Sequence, residues 1–400
     1  MGLNLLESPS LPNSTISMTT DVETVDDADD QGWSVSGIDN SAVVRTVYGV
    51  IGFSGMAGNA LVCFVLIRVP SLRTRTSQFI INLAIADFLT SFWLIPFHMF
   101  PRAPPLSKGL SGELMCRLYI SKYILWVSAV MSIYFLVAVT LERYVAVVHP
   151  LKYKRVFTTK FTLLVSACCW LIGILSPIFF FFIYDVRDGV CVFLPYPSRA
   201  HQMVVGVFIF TVIYGIPIVI LLVWHGKIIR SLKRQANTLA ANIAEHGPIE
   251  RAQRNNNIVR RNESNGTSVG VNIVNNNNRW HLKVANDMQK TFFVVIMVFM
   301  VCWAPNQFLF LSYSLGAPVD FTKTYYHFSV ILAVCNSCVN PFIYVFKNKL
   351  FRRGIFKAFR CGNSESTEAS FRQSENSVQP LSISVRQQKR SDQHTTVSVT

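Results

Sequence analysis

Charged residues are scarce in this chain, and long stretches lack them altogether. Of the 400 residues, 15% are charged and 51% are hydrophobic, whereas a soluble domain carries about 25% charged residues. No charged residue lies between Tyr123 and Leu141. This composition excludes an ordinary soluble domain and indicates a membrane protein.

The apolar residues are grouped in seven segments, each close to the roughly 20 residues that a membrane-spanning helix needs. Because the bilayer offers no water to bare peptide groups, spanning segments must be helices or a closed barrel. Barrel strands are shorter and alternate in hydrophobicity, which these segments do not. The sequence therefore predicts an all-α membrane protein, whose domain at 43–346 is a seven-transmembrane helix bundle. The predicted spans are 43–67, 79–100, 119–148, 161–183, 203–224, 291–313 and 325–346.

The third apolar segment organises the others. As one helix from Cys116 to Arg143 it would extend about 40 Å, which exceeds the bilayer's hydrocarbon core of about 30 Å. Both ends should therefore reach an interface, with Lys122 at one end and Glu142, Arg143 and Tyr144 at the other. We interpret this segment as a helix that links two compartments.

Basic residues are scarce on one side of the predicted bundle. The net charge is +15 and the chain has 37 Lys and Arg residues, yet few lie on the side that carries the N-terminus. The positive-inside rule places that side outside the cell, which predicts a plasma-membrane protein with an extracellular N-terminus and a cytoplasmic C-terminus. The basic excess then faces anionic inner-leaflet lipid, and nucleic-acid binding is not expected. The outer basic residues are Arg45, Arg102, Lys108, Arg117, Lys122, Arg187, Arg199 and Lys323.

No basic start followed by an apolar run precedes the first span, so we expect no cleaved signal peptide. The extracellular tail, 1–42, is polar and acidic. It contains the sequon Asn13-Ser14-Thr15, which makes Asn13 a candidate glycosylation site. An unused sequon on a solvated tail is the alternative.

Three cytoplasmic segments carry specific predictions. The loop at about 236–281 cannot bury enough apolar surface to fold alone and is predicted to be disordered. Residues 347–361 place apolar side chains at helical spacing between basic ones, which predicts a short amphipathic helix on the inner leaflet. Cys361 at its end is a candidate for palmitoylation, with a free thiol as the alternative. The tail at 362–400 is rich in Ser and Thr, which suits phosphorylation.

The chain has nine cysteines, and two of them lie on the predicted extracellular side. Cys116 is at the outer end of the third span, and Cys191 is in the loop after the fourth. Both face an oxidising compartment, so we predict a disulfide between them. The cysteines inside apolar spans are expected to be packed thiols; they are Cys63, Cys168, Cys169, Cys302, Cys335 and Cys338.

The predicted spans lack a Ser/His/Asp set and lack Cys/His metal spacing, so an enzyme is not expected. They also lack an internal repeat, and Asp87 is their one defensible mid-membrane charge. A transporter or channel usually has repeats and several charges along its path. These absences disfavour a transporter or channel, which is the alternative from a different functional class.

Short motifs follow one another along the spans, and together they are specific where each alone is weak. They are Gly58-Asn59, Leu83-Ala84-Ile85-Ala86-Asp87, Glu142-Arg143-Tyr144, Trp170, Pro217, Cys302-Trp303-Ala304-Pro305 and Asn340-Pro341-Phe342-Ile343-Tyr344. On these motifs the chain resembles a rhodopsin-like (class A) G-protein-coupled receptor over about 43–361. The stretches TLERYVAVVHPLKY and CNSCVNPFIY are similar to neuropeptide receptors of the galanin, allatostatin and somatostatin kind.

The resemblance implies a switch at the inner ends of the spans. It implies that Arg143 pairs with Glu142 at rest and contacts a heterotrimeric G protein when active. It implies that Trp303 is a toggle below the ligand and that Pro305 lets the sixth span swing outward. Arrestin and a receptor kinase are implied partners of the phosphorylated tail. The implied switch residues are Glu142, Arg143, Tyr144, His225, Trp303, Pro305, Asn340, Pro341 and Tyr344.

The resemblance also implies an allosteric sodium ion that favours the resting state. Its ligands would be Asp87, Ser132, Asn336 and Asn340. One carboxylate and three neutral oxygens suit a hard cation. No other cofactor is expected.

Two departures from the family pattern stand out. Cys116 lies two residues further from Arg143 than is usual, so the top of the third span should bulge or start later. His225 occupies the place of the tyrosine that usually partners Tyr344. This second departure keeps open a receptor-like scaffold that binds ligand without signalling.

An acidic residue is absent from the third span between Glu113 and Glu142, so an amine ligand lacks its usual counter-ion. The seventh span has no lysine at the retinal position, which excludes a visual pigment. Lys122, Trp126 and Ala129 are predicted to share one helix face. We interpret the outer pocket as aromatic and weakly cationic, and its ligand as a neuropeptide, with a lipid or other small molecule as the alternative. The predicted pocket residues are Trp93, Phe97, Lys122, Trp126, Ala129, Gln307, Phe310 and Tyr326.

Overall fold

The computed structural model describes residues 41–100, 106–256, 266–321 and 323–359. Within these ranges seven helical segments are long and apolar enough to cross a membrane, which confirms the predicted all-α bundle. The helices are α1 (Ala42–Arg68), α2 (Arg75–Met99), α3 (Leu110–Leu114), α4 (Tyr123–Val148), α5 (Pro150–Val156), α6 (Thr159–Leu175), α7 (Phe180–Ile183), α8 (Arg199–Phe210), α9 (Ile216–Asn256), α10 (Gly266–Ser314), α11 (Thr324–Lys347) and α12 (Lys349–Phe359). One hairpin joins β1 (Tyr184–Arg187) to β2 (Val190–Phe193).

Hydroxyl residues at the membrane boundaries start three of the long helices. Thr74 caps α2 in a reciprocal pair with Ser77, whose backbone N–H donates to the Thr74 hydroxyl over 3.2 Å. Thr158 caps α6, and Ser198 caps α8. A side-chain oxygen at the N-cap satisfies backbone donors that the helix leaves without partners, so these starts are encoded locally.

Helix α4 is the centre of the bundle. About 72% of its apolar stretch is buried, against 22% for the fourth span. Phe135 and Leu125 on α4 are fully buried, whereas Leu163 and Leu164 on α6 are exposed. An exposed apolar face is unfavourable in water but is what a helix needs against lipid tails. The chain is a multi-pass membrane protein.

The third span is not the continuous helix that the sequence predicted. A π-helical segment runs from Met115 to Ile120, and Lys122 then adopts a left-handed conformation, with φ at 59° and ψ at 22°. Helix α4 begins only at Tyr123. The long spacing from Cys116 to Arg143 is therefore absorbed by a bulge above the span. Lys122 precedes α4 and does not lie on a helix face with Trp126.

The fourth and fifth spans are also interrupted. In the fourth, predicted at 161–183, α6 ends at Leu175 and α7 resumes at Phe180. In the fifth, a π-helical segment at Thr211–Gly215 lies between α8 and α9. The hydrophobic pattern identifies a membrane span, but it does not distinguish α-helical from π-helical hydrogen bonding in the backbone.

The fifth and sixth spans continue far beyond their apolar residues. Helix α9 reaches Asn256 and α10 starts at Gly266, which differs from the disorder predicted at about 236–281. An existing helix gains one hydrogen bond for each added residue without a new nucleation cost. Polar residues can therefore prolong a span without burial.

Helix α12 lies within the predicted amphipathic segment at 347–361. Its Phe359 ring packs 5.5 Å from the Phe64 ring of α1. Gly354 lies so close to α1 and the following turn that an added Cβ would sit 2.5 Å from Leu72 Cδ1. Helix α12 therefore packs against α1, the first helix of the bundle.

The predicted disulfide joins Cys116 to Cys191. It anchors the β-hairpin, whose turn at Asp188 and Gly189 has positive φ at both residues, as tight hairpins require. Arg117 adds a second attachment, because it donates 2.8 Å to the carbonyl of Phe181 and lies 3.4 Å from the Asp185 carboxylate. The hairpin thus covers the top of the third span.

Candidate functional site

Four polar side chains form a closed cluster at the inner end of α4. The fully buried Glu142 accepts a hydrogen bond from the Arg143 Nε, at 2.7 Å. It also accepts from the hydroxyl of Thr76 on α2, at 2.7 Å, and from the hydroxyl of Tyr153 on α5, at 2.5 Å. We call these four residues the inner cluster. It holds the Arg143 side chain against its own helix.

Tyr153 is a donor in this cluster and not an anion. Its burial and the neighbouring Glu142 carboxylate raise the pKa of the Tyr153 phenol above its usual value. Charged acceptors make the strongest hydrogen bonds, and Tyr153 and Thr76 both donate to the Glu142 carboxylate. Neither residue was identified from the sequence, since Thr76 lies in another span and Tyr153 lies beyond the motif.

Tyr144 is directed away from the inner cluster. Its ring stacks on Trp224 of α9 at 6.0 Å, with an angle of 12° between the planes. The Lys227 ammonium lies 5.8 Å from the ring centroid, a cation–π distance. Tyr144 thus connects the third span to the fifth.

His225 and Tyr344 do not meet in this arrangement. Both His225 ring nitrogens and the Tyr344 hydroxyl are buried without a hydrogen-bond partner in the described part of the chain. His225 stacks on Phe293 at 5.1 Å, and the Tyr344 ring packs 6.2 Å from Phe351. Arg143, Tyr344 and Phe292 of α10 line a cavity of about 100 Å³.

A second polar group lies in the middle of the bundle around Asp87, which is fully buried. Asn340 on α11 donates from Nδ2 to one Asp87 oxygen over 2.8 Å. The predicted sodium ligands share one feature: each carries a buried oxygen that has no hydrogen-bond partner among the described residues. These atoms are Asp87 Oδ1, Ser132 Oγ, Asn336 Oδ1 and Asn340 Oδ1.

This oxygen set fits a hard monovalent cation. Helices α2, α4 and α11 each contribute to it, and buried oxygens without partners are costly unless something supplies positive charge or a donor. The described residues contain no group of three or more His, Cys, Asp and Glu side chains that could hold a metal. The four oxygens without partners belong to one carboxylate and three neutral side chains.

The Gly58-Asn59 motif is part of the packing beside this group. Asn59 donates 2.9 Å to the carbonyls of Gly55 and Ser337, which joins α1 to α11. An added Cβ at Gly58 would lie 2.8 Å from Pro341. Neither residue contacts Asp87 by a hydrogen bond in the described structure.

The predicted outer pocket residues separate into two groups. Trp126 lies 6.3 Å from Trp303, and Ala129 and Phe310 belong to the same cluster. Gln307 is buried, and its Oε1 has no hydrogen-bond partner among the described residues. The second group consists of Trp93, Phe97 and Tyr326.

The second group contains side chains that the sequence analysis missed. Tyr119 packs 4.8 Å from Phe97 and 6.4 Å from Trp93. His98 and His327 are buried polar residues at the outer ends of the second and seventh spans. The sequence feature that could have identified them is a histidine at the outer end of an apolar segment. Asn13 and Cys361 lie outside the described residues.

Comparison with known proteins gives the family. The family model "7 transmembrane receptor (rhodopsin family)" matches residues 58–344. Similar proteins include the allatostatin-A receptor of Bombyx mori, which is 30% identical over 80% of each chain. They also include the human cholecystokinin receptor type A, 28% identical over 80% of this chain and 81% of the relative. Galanin receptor 2a of Danio rerio is 25% identical over 80% of this chain and 79% of the relative. The chain therefore belongs to the rhodopsin family of seven-transmembrane, G-protein-coupled receptors.

Proposed function

We propose that this protein is a plasma-membrane receptor that binds an extracellular neuropeptide and activates a heterotrimeric G protein. The observation that carries the proposal is the inner cluster, in which Glu142 holds Arg143 closed at the opposite end of the bundle from the aromatic outer pocket. The named relatives support the ligand class, because they are receptors for allatostatin-A, cholecystokinin and galanin.

Activation requires release of Arg143 from Glu142. Pro305 interrupts the hydrogen-bond ladder of α10, so the inner half of this helix is the part that can swing outward. The cavity beside Arg143 and Tyr344 would then widen into a cleft for the G protein. The ligand can shift this equilibrium only by its difference in affinity for the two arrangements.

Sodium is proposed to stabilise the closed arrangement. Asp87, Ser132, Asn336 and Asn340 would hold the ion, and its positive charge would satisfy their buried oxygens. Because the three helices must keep their present spacing to supply these atoms, a bound ion opposes the movement that the ligand favours.

The two ends of the chain are proposed to act in delivery of the receptor to the membrane and in termination of its signalling. We place the N-terminus outside, with Asn13 glycosylated, and the C-terminus in the cytoplasm. Helix α12 would lie on the inner leaflet, anchored by a palmitoyl group on Cys361. Phosphorylation of the tail at 362–400 by a receptor kinase would recruit arrestin. No enzymatic activity is proposed.

A receptor-like scaffold that binds ligand without signalling is the second candidate. The observation that favours it is His225, which has no hydrogen-bond partner among the described residues and stands apart from Tyr344. An active-state link between these two side chains would require both to move. A small-molecule or lipid ligand is the alternative within the same fold.

The deciding experiment is a G-protein activation screen in cells that express the full-length chain. The library should contain allatostatin-A, cholecystokinin and galanin peptides together with other neuropeptides, amines and lipids. We expect a peptide to activate the receptor and the Arg143→Ala variant, matched for surface expression, to lose the response. Activation by an amine or lipid alone would overturn the ligand class. Binding of a peptide without activation would favour the scaffold.

A further inference from the structure

A buried histidine at the outer end of α2 has an incomplete set of partners. His98 is only 6% exposed, and its Nε2 has no hydrogen-bond partner among the described residues. The ring is stacked on Tyr48 of α1, with 3.7 Å between centroids and 11° between planes. Packing thus fixes the orientation of the imidazole while one of its nitrogens remains available. A buried nitrogen without a partner is costly, so a ligand that accepts a hydrogen bond from it would be stabilising.

Two further basic residues lie within electrostatic range of His98. They are Lys122, above α4, and His327, in the first turn of α11. The second, third and seventh spans therefore each bring one nitrogen base to the same region. A carboxylate placed among them would be attracted by the Lys122 ammonium and would offer an acceptor to the imidazole N–H groups.

The backbone above α4 is distorted where Lys122 contributes. Lys122 has φ at 59°, which residues other than Gly, Asn and Asp rarely adopt. It follows the π-helical segment Met115–Ile120, so this is the bulge that absorbs the extra length of the third span. A strained backbone at a site is a reason to look for function there. Its consequence here is that Lys122 is set apart from the helix face of Trp126 and stays within electrostatic range of His98.

Aromatic rings surround this basic region. Trp93 stacks on Phe97 at 5.8 Å, and Tyr119 covers Phe97 at 4.8 Å. Tyr326 packs 5.7 Å from His327. Low-polarity walls strengthen a charge-assisted hydrogen bond.

We propose that His98, Lys122 and His327 form a subsite that binds a carboxylate of the peptide ligand. The carboxylate is either the C-terminal group or an Asp or Glu side chain. The ammonium of Lys122 supplies a fixed positive charge, and Nε2 of His98 supplies a directed hydrogen-bond donor. This inference rests on the proposed peptide ligand, but it is a statement about binding and not about G-protein activation.

The test is an affinity selection on the full-length receptor in lipid nanodiscs. The probe is a synthetic library of random nonapeptides, in which each sequence is present as a C-terminal acid and as a C-terminal amide. A second library replaces Asp and Glu by Asn and Gln. Retained peptides are quantified by mass spectrometry. We expect carboxylate-bearing peptides to be enriched about 10-fold over their neutral counterparts, the range of a charge-assisted hydrogen bond.

Two variants remove the subsite in different ways. Lys122→Asn removes the charge and keeps a residue type that tolerates the left-handed backbone, and His98→Phe keeps the stack on Tyr48 while removing Nε2. Both should abolish the enrichment. Lys108→Asn, the same exchange at an exposed outer lysine, and Lys122→Arg should retain it. A preference in the acid and amide library assigns the carboxylate to the C-terminus. A preference that depends on Asp and Glu assigns it to a side chain.

The proposal is overturned if the wild-type receptor shows no carboxylate preference, including the case in which it retains no peptide. It is equally overturned if the preference survives in either Lys122→Asn or His98→Phe. Enrichment of neutral peptides alone would leave the peptide receptor intact and remove only the subsite. Because the selection needs no G protein, a failure of signalling cannot be mistaken for a failure of binding.

Discussion

At the scale of single residues, Glu142 is the acceptor on which the hydrogen bonds of the inner cluster converge. Its pairing with Arg143 follows from adjacency in the chain and was implied by the family motif. Its partners Thr76 and Tyr153 come from α2 and α5. No local pattern in the sequence connects these positions, so only packing of the three helices could bring them together.

Tyr153→Phe should raise G-protein activation in the absence of ligand. The exchange removes one hydrogen bond to the buried Glu142 carboxylate, a loss of about 1.5–3 kcal/mol for a charged acceptor, and so weakens the closed arrangement. Basal nucleotide exchange in membranes measures the effect, and an increase of about 10-fold corresponds to 1.4 kcal/mol.

The matched control for this prediction is Tyr123→Phe. Its hydroxyl donates 2.7 Å to the carbonyl of Ile174, away from the inner cluster. Basal activity should stay unchanged in this control. Equal basal activity in Tyr153→Phe and the wild type would show that the cluster does not restrain the receptor.

Asp87→Asn should remove the sodium dependence of agonist affinity. The amide keeps the size of the side chain but lacks the negative charge that attracts a cation. Agonist binding is measured in sodium chloride and in choline chloride at equal ionic strength. We expect sodium to weaken binding to the wild type and to leave the variant unaffected. A dependence of the same size in both would contradict the proposed ion site.

At the scale of elements, the hairpin and the bulge beneath it form one unit at the outer surface. The β-hairpin is attached to the third span by the disulfide and by Arg117. The sequence located both cysteines, because they are the two that face an oxidising compartment. It also indicated extra length between Cys116 and Arg143. It could not place that length, since a π-helical segment and one left-handed residue have no hydrophobic signature.

The double variant Cys116→Ser and Cys191→Ser should lower stability. Loss of a native disulfide typically costs about 2–4 kcal/mol, and here it also frees the hairpin above the outer pocket. Thermal unfolding of the purified receptor should show a lower midpoint, and agonist affinity should fall. Cys168→Ser, at an exposed free thiol, is the control and should resemble the wild type. Unchanged unfolding and affinity in the double variant would argue against a structural role for the bond.

At the scale of the whole molecule, seven apolar helices and an uneven distribution of basic residues define the orientation that we propose. An epitope tag at the N-terminus should be stained on intact cells, and a tag at the C-terminus only after permeabilisation. Deglycosylation should shift the wild-type band but not that of Asn13→Gln. Staining of the C-terminal tag on intact cells would reverse the proposed topology.

The sequence by itself determined the seven spans, their class of fold and the disulfide, while the candidate ion ligands stay a prediction that its family resemblance implied. These features depend on composition, on spacing along one helix or on short motifs, all of which are local. The tertiary structure decided which distant side chains meet: Thr76 and Tyr153 at Glu142, and His98 and His327 near Lys122. It also decided where the α-helical hydrogen bonding is interrupted. The apolar surface places a segment in the membrane, but the packing of neighbouring spans sets its backbone geometry.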